Sequence, residues 1–459
     1  MRAYLAKTEP VAATERTPWY RLMLPCYASL FLWLGFYEVL APGTIDRATY
    51  GTLFFGLLAA GFLAYSLFFA IPARMAVQTG YPLGVLGSST FGSRGGQFVP
   101  GLLIAGLEAA WLGFAAWHGA RGVLAGLGRD SQRVSGLEGL AVTAVWCLAF
   151  AAAACAGVRW IALAAIPLAA LSASVLGAGL HSARLGIEGY TMEMPEQYLA
   201  FVYTIQLVTA LVAGGLAAGP SLARYISSNR DLRLAGLLGI VAPVTAAGSA
   251  ALLSIAGWKQ LNAVADTFSY LELARASGGI LAAAAPFLLL AGALPASAFL
   301  AWLAMDSVSV MLPGLPRWAG ALGVSAAAFA TAALGSPANA LAFLTVAGAL
   351  GAPMFGIMAA DYWQHDKRWP HTRPGVNLAG YGAWLLGVGF GLLPVLPIPE
   401  HVQRYAQPSA VLACASGFAG YILLGNLGLK PYRKHRRKRV RLDRFQSDEP
   451  PHNRPGSGL

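Results

Sequence analysis

Charge is scarce in this sequence. Only 11% of its 459 residues are Asp, Glu, Lys or Arg, and just 20 are acidic. Soluble domains carry roughly a quarter charged residues, so an ordinary water-soluble globule is excluded. Cysteine is sparse too. Cys26, Cys147, Cys155 and Cys414 all fall inside or beside apolar runs, a placement that suits small buried residues and gives neither a disulfide framework nor a metal-ligand spacing. The seven histidines are scattered, without a His-x-x-x-His pair, and no Cys-x-x-Cys pair occurs. The apolar runs also lack a nucleophile–base pair. The sequence therefore predicts no metal centre, no cofactor and no enzyme activity.

What it has in abundance is apolar length. Hydrophobic residues make up 57% of the chain, and the mean hydropathy is +0.57. A helix of about 20 apolar residues crosses the hydrocarbon layer, where lipid offers no partner for an unpaired backbone group. Twelve such stretches can be drawn, at 22–42, 51–71, 97–125, 136–156, 158–180, 199–220, 233–256, 279–304, 319–335, 338–360, 377–397 and 408–428. They consume nearly the whole chain and leave no room for a soluble domain. The fold class predicted is an all-α polytopic membrane protein.

The net charge of +12 is concentrated at one end. Much of it lies in the run Lys430-Pro-Tyr-Arg-Lys-His-Arg-Arg-Lys-Arg-Val-Arg441. A nucleic-acid site would need a folded basic face or interleaved aromatics, and the run offers neither. A juxtamembrane segment touching anionic headgroups accounts for it, with the lipid bilayer as the partner. With both termini cytoplasmic, about 24 of the 32 Lys and Arg fall on the inner side. The expected location is thus the plasma (inner) membrane, multi-pass. The polar stretch from Met1 to Pro18 has no apolar core and predicts no removable signal.

Two spans carry features a simple anchor would avoid. The sixth contains Gly214, Gly215, Gly219 and Pro220 in one stretch; the first contains Gly35 and an ionisable Glu38. In transporters built from inverted repeats, spans one and six open the two halves and are interrupted near the midplane, where free backbone groups face the cargo. Glycine and proline also serve plain packing in membrane helices. Carboxylates at membrane depth are costly and need a reason. Glu38 and Glu108 qualify by depth, while Asp306 sits near the end of span eight. Burial disfavours the charged form of a carboxyl group, which suits proton uptake and release; a neutral Glu bonded to a neighbouring helix is the plainer role. Trp33 and Trp111, with Phe114 and Trp117 on the same helix as Trp111, are candidates to stack on a flat solute. Tryptophans in membrane chains also populate the interfacial belts.

Several of these segments resemble one family. Span three, Phe98-Val-Pro-Gly-Leu-Leu-Ile-Ala-Gly-Leu-Glu-Ala-Ala-Trp-Leu-Gly-Phe-Ala-Ala-Trp117, looks like the third helix of the nucleobase–cation symporter-1 (purine–cytosine permease) family. The stretch Tyr81-Pro-Leu-Gly-Val-Leu-Gly-Ser-Ser-Thr-Phe-Gly-Ser-Arg-Gly95 is similar to the loop before it. Gly351-Ala-Pro-Met-Phe-Gly-Ile-Met-Ala-Ala-Asp-Tyr-Trp363 matches the family's Pro-x-x-Gly-Ile-x-x-x-Asp-Tyr motif, and Pro18-Trp-Tyr fits before an aromatic first helix.

The resemblance implies a LeuT-like fold of two inverted five-helix repeats plus two peripheral helices. Its divisions would be a tail at 1–21, repeats at 22–180 and 199–360, peripheral helices at 377–428 and a basic tail at 429–459. It implies a symporter for a nucleobase or related small planar solute, driven by Na⁺ or H⁺. By its pattern the substrate would meet Trp111 and the position of Ala115, and Ser297 would serve a cation. The breaks, the aromatics and the deep carboxylates of this sequence add Trp33, Glu38, Glu108, Gly214 and Gly215 as expected substrate contacts, with Glu38 and Glu108 as protonatable groups for coupling. The chain departs from the pattern at Ala115, where a glutamine commonly bonds the substrate edge. It departs again at Val212, in place of a bulky residue, at Ser221-Leu-Ala-Arg224, and at Ser297, the single hydroxyl found in Leu294-Pro-Ala-Ser-Ala-Phe-Leu300. One hydroxyl is thin provision for sodium, so the expected coupling ion is the proton. The same fold carrying an amino acid, amine or vitamin precursor, and a non-transporting sensor, are the alternatives.

Overall fold

A computed structural model describes residues 3–130, 133–190, 196–262, 268–276 and 279–429; the basic run beyond Leu429 lies outside them. All regular elements among the described residues are helical, apart from one isolated bridge pairing Thr17 with Ile226. Ten helices are long and apolar enough to cross a membrane: Tyr50–Thr79, Gln97–Gly126, Leu137–Ala154, Val158–Glu188, Gln197–Gly215, Asn229–Leu261, Gly292–Met311, Ser336–Trp363, Leu378–Val395 and Ser409–Leu429. An eleventh is the bent pair at the start, whose halves meet at 42°. Arg317–Ala333, with 17 residues, lies between the eighth and tenth and completes twelve. Each predicted stretch thus coincides with a helix or a broken pair. Spans five and eight run longer than predicted, to Glu188 and Met311. Asp306 lies about one and a half turns before the end of the longer span eight.

Burial sorts the spans into layers. Spans three, six and ten have 72% of their apolar window inside the protein, against 28% for span eleven and 33% for span twelve. The first three form the centre of the bundle; the last two, like spans four and five at 33%, keep most of their apolar window on the outside. Small residues set the spacing at the centre, since lipid gives no hydrophobic drive for helices to associate and close van der Waals packing must supply it. Gly351 of span ten, for example, lies directly on the Ala213 carbonyl of span six, so any side chain there would collide with backbone.

The tenth span's Asp-Tyr ending has a structural explanation. Asp361 is fully buried and accepts from Arg373 (2.7 Å), Tyr421 (2.8 Å) and Thr90 (3.2 Å). One carboxylate thereby ties span ten to span twelve, to the loop before span eleven and to the loop before span three. A buried charge survives only with such complete pairing.

Candidate functional site

Span one consists of two pieces, Trp19–Phe31 and Leu34–Leu40. At the joint Trp33 adopts an extended conformation, with φ −79° and ψ 105°. Gly35 follows because rings close over it: a side chain there would begin 3.1 Å from the Trp33 indole and 3.2 Å from His118 Nδ1. Span six runs helically through Gly215, turns at Leu216–Ala218 and continues as a 3₁₀ segment, Gly219–Tyr225. Both interruptions that the sequence pointed to are present.

Span three passes both breaks and supplies the chemistry between them. Trp33, at the first break, packs edge-on against Phe114 with ring centres 5.7 Å apart. Phe114 meets Trp111 at 5.2 Å, and a side chain on Gly215, at the second break, would begin 2.7 Å from the Trp111 indole. An aromatic chain thus runs from one break to the other. Phe343 of span ten closes it from the side, stacked on Phe114 at 5.0 Å. Trp33, Trp111 and Phe114 are fully buried, so in this conformation rings rather than an open hollow fill the space between the breaks.

Glu108 lies one turn before Trp111 and is fully buried. Its Oε1 accepts from the Ala218 backbone N–H at 2.7 Å, inside the turn of span six, and its Oε2 has no protein partner. The Tyr27 hydroxyl, from span one, lies against Gly219 and is likewise buried without a partner. Trp111 Nε1 and His118 Nε2 complete a set of four buried polar atoms left unpaired around the breaks. Buried groups without partners are uncommon because each costs about 1–3 kcal/mol. Glu108 Oε2 and Tyr27 Oη lie beside the turn of span six, and His118 Nε2 belongs to the ring that packs on Trp33 at the first break.

The remaining charged groups at depth are compensated. Glu38 Oε2 accepts from Arg121 at 2.9 Å, and its Oε1 accepts from Ser269 Oγ at 3.1 Å and from the Leu271 N–H at 3.4 Å. Arg224 pairs with Asp306 at 2.7 Å, and Lys259 with Asp46. Glu108 has no basic partner within ion-pairing reach among the described residues.

The predicted site residues thus divide into two groups. Trp33, Glu108, Trp111 and Gly215 come together at the breaks. Ala115, one turn past Trp111, is fully buried. Gly214 points away, against Ala347 of span ten. Glu38 does not share a site with Glu108: its partner Arg121 lies thirteen residues further along span three, about 20 Å of helix rise. Ser297 also faces elsewhere, accepting from Trp146 Nε1 of span four at 2.9 Å. The residue of span eight that meets the first break is Gly292, where a side chain would begin 2.9 Å from the Leu32 carbonyl oxygen. Span eight offers no side chain there, and the hydroxyl that does approach is Ser172 Oγ of span five, 3.5 Å from where such a side chain would begin.

Tyr27, Phe343, His118 and Arg121 were not singled out from the sequence. Trp111, Phe114 and His118 follow a spacing of three and then four, which places them along one helix face. That periodicity was the available signal for His118.

No family model matches the chain, and no curated protein matches it. Solved structures do. Mhp1 in an inward-facing conformation superposes with a TM-score of 0.68 at 14% identity, over 92% of this chain and 94% of that chain. Mhp1, a nucleobase-cation-symport-1 family transporter, in a closed conformation with bromovinylhydantoin bound, gives 0.65 at 15% identity, over 93% and 96%. A Na⁺-coupled sialic acid symporter in a substrate-bound outward-open state gives 0.57 at 12% identity, over 90% of each chain. With its broken first and sixth spans, its central third span and its peripheral last two, this chain has the LeuT-like fold those transporters share.

Proposed function

We propose that this protein is a secondary active symporter for a nucleobase-like or related small planar solute, coupled to protons and working by alternating access in the plasma (inner) membrane with both termini cytoplasmic. The observation that carries the reading is Glu108: a buried carboxylate without a counter-charge, bonded to the turn of span six and one helical turn from an aromatic chain linking both breaks. Flat rings suit a flat solute held face to face, and the unpaired atoms of Trp111, Tyr27 and His118 suit its polar edge. A carboxyl group that gains and loses a proton changes its grip on the Ala218 N–H, so occupancy by the proton is tied to the shape of the span six turn.

The proton is favoured over sodium because a sodium site of this architecture draws on carbonyls of the broken first helix and on hydroxyls of the eighth. Here Ser297 is engaged with Trp146, and Gly292 occupies the facing position. The small-molecule solute and the lipid bilayer are the partners; no cofactor enters.

The test is uptake into proteoliposomes by the purified protein, with purines, pyrimidines, hydantoins and amino acids offered under an imposed inward gradient of either H⁺ or Na⁺. Accumulation of a planar heterocycle under the proton gradient alone is the expected result. Accumulation that requires sodium rejects the coupling, accumulation of amino acids alone rejects the cargo, and saturable binding without accumulation replaces the carrier with a sensor.

A further inference from the structure

Two buried ion pairs lie outside the central site, and they correspond to each other through the two repeats. In the first repeat, Glu38 follows the break at Trp33 by five residues and pairs with Arg121, five residues before the end of span three at Gly126. In the second, Arg224 follows the turn at Ala218 by six residues and pairs with Asp306, five residues before the end of span eight at Met311. Spans one and six are equivalent in such repeats, as are spans three and eight. The acid and base have exchanged helices, but the places have not moved.

The surroundings repeat as well. The short helix Leu83–Leu86, in the loop after span two, docks on the second half of span six: the Leu83 N–H donates to Ser221 Oγ at 2.9 Å. The short helix Tyr270–Ala276, in the loop after span seven, docks on the second half of span one: the Leu271 N–H and Ser269 Oγ both donate to Glu38 Oε1. Chain direction puts the two assemblies on opposite faces of the membrane. Arg224, Asp306 and Leu83–Leu86 lie at the face that carries the N-terminus, and Glu38, Arg121 and Tyr270–Ala276 at the other. The side chains of both pairs are nearly sealed from solvent, at 8% and 12% exposure for Glu38 and Arg121 and 15% and 8% for Asp306 and Arg224.

We propose that Glu38–Arg121 and Arg224–Asp306 are a repeat-related pair of gate latches, one for each face, and that access alternates by parting one while the other holds. The proposal rests on the carrier reading above for its purpose, although the latches themselves are defined by structure alone. To open a path to the central site, the half-helix beyond a break must leave the long helix it is pinned to. That motion strips a sealed ion pair and also releases the loop helix docked on the same half-helix. In this conformation both pairs are formed. Removing one charge leaves its partner buried and uncompensated, which favours separation at that face only.

Hydrogen–deuterium exchange of the full-length protein in lipid nanodiscs tests this without any transport measurement, so its failure is separable from failure of the carrier reading. Glu38→Gln should speed exchange about tenfold or more in residues 34–43 and 268–276, with residues 83–91 and 219–226 unchanged. Asp306→Asn should do the reverse. Exchanging the charges, Glu38→Arg with Arg121→Glu, should return residues 34–43 and 268–276 toward the native rate, and this recovery separates a latch from simple misfolding. Acceleration at both faces by either single change, no acceleration by either, or no recovery in the exchanged pair overturns the proposal.

Discussion

The two breaks at the centre of the bundle are made by different means. In span six the interruption is written into the backbone: Gly214 and Gly215 end the helix, and Gly219 and Pro220 begin the next segment. In span one neither glycine nor proline stands at the joint itself, where Leu32 and Trp33 lie. There the break is held by packing, with Trp33 wedged against Phe114 and His118 and Gly292 pressed to the Leu32 carbonyl. Their carboxylates differ in the same sense. Glu38, beyond the first break, has an arginine and two further donors; Glu108, at the second, has one backbone N–H and an unpaired oxygen. Depth alone made the two look alike. The presence or absence of a counter-charge separates a group that fastens helices from one that can take up a proton.

The sharpest way to break this contrast is to neutralise the two carboxylates in turn. Glu108→Gln keeps the size and an acceptor for the Ala218 N–H but can no longer exchange a proton. Gradient-driven uptake should be abolished, while binding of the solute measured without a gradient should persist. If Glu108→Gln still accumulates solute under a proton gradient, the second break does not hold the coupling group.

Gly215→Ala tests whether the backbone of span six and the aromatic chain form one surface. The added methyl would stand 2.7–3.0 Å from the Trp111 ring, so the indole must shift. Overpacking of this kind costs about 1–3 kcal/mol, a roughly 5- to 150-fold loss if it falls on solute affinity. Equilibrium binding titration of the variant checks it, and unchanged affinity would remove Trp111 from the site. Gly214→Ala should instead disturb the contact with span ten, lowering thermal stability.

Glu38→Gln should act differently from Glu108→Gln. Breaking a sealed ion pair is destabilising, by up to about 3–5 kcal/mol where burial is complete and by less here, where both partners retain some exposure. The expected result is a lower melting temperature and an altered uptake rate, with the proton drive intact. Loss of gradient response in this variant would return Glu38 to the coupling role that the sequence suggested.

Much of the fold was legible because lipid imposes a simple rule: backbone must be helical and its exterior apolar, so length and hydropathy alone locate the spans. The break in span six was legible because glycine and proline carry it locally. In span one the sequence offered Gly35 and Glu38, which lie beyond the joint at Trp33; the packing of span three that holds this joint leaves no local mark. The partners of Glu38 were hidden for a related reason. Arg121, Ser269 and Leu271 are brought to it from two separate regions of the chain, and no local pattern records that meeting. The Pro-x-x-Gly-Ile-x-x-x-Asp-Tyr stretch stood out in the sequence, yet Asp361 serves as an anchor for the peripheral helices and not as part of the central site.

The smallest effect on transport is expected at Ser297. By resemblance this hydroxyl was a candidate for cation coupling, but it accepts from the Trp146 indole and lies on a different side of span eight from Gly292, which meets the first break. Ser297→Ala should therefore leave both proton drive and solute affinity unchanged. Its cost should fall on stability, because the Trp146 N–H loses its acceptor in a buried position. Polar contacts between membrane helices average about 0.6 kcal/mol, so a thermal shift of a degree or two is the measurable consequence. A sodium-dependent uptake that disappears in this variant would mean that span eight rotates Ser297 toward the first break in another state of the cycle, and that the region around span one, not the turn of span six, carries the coupling ion.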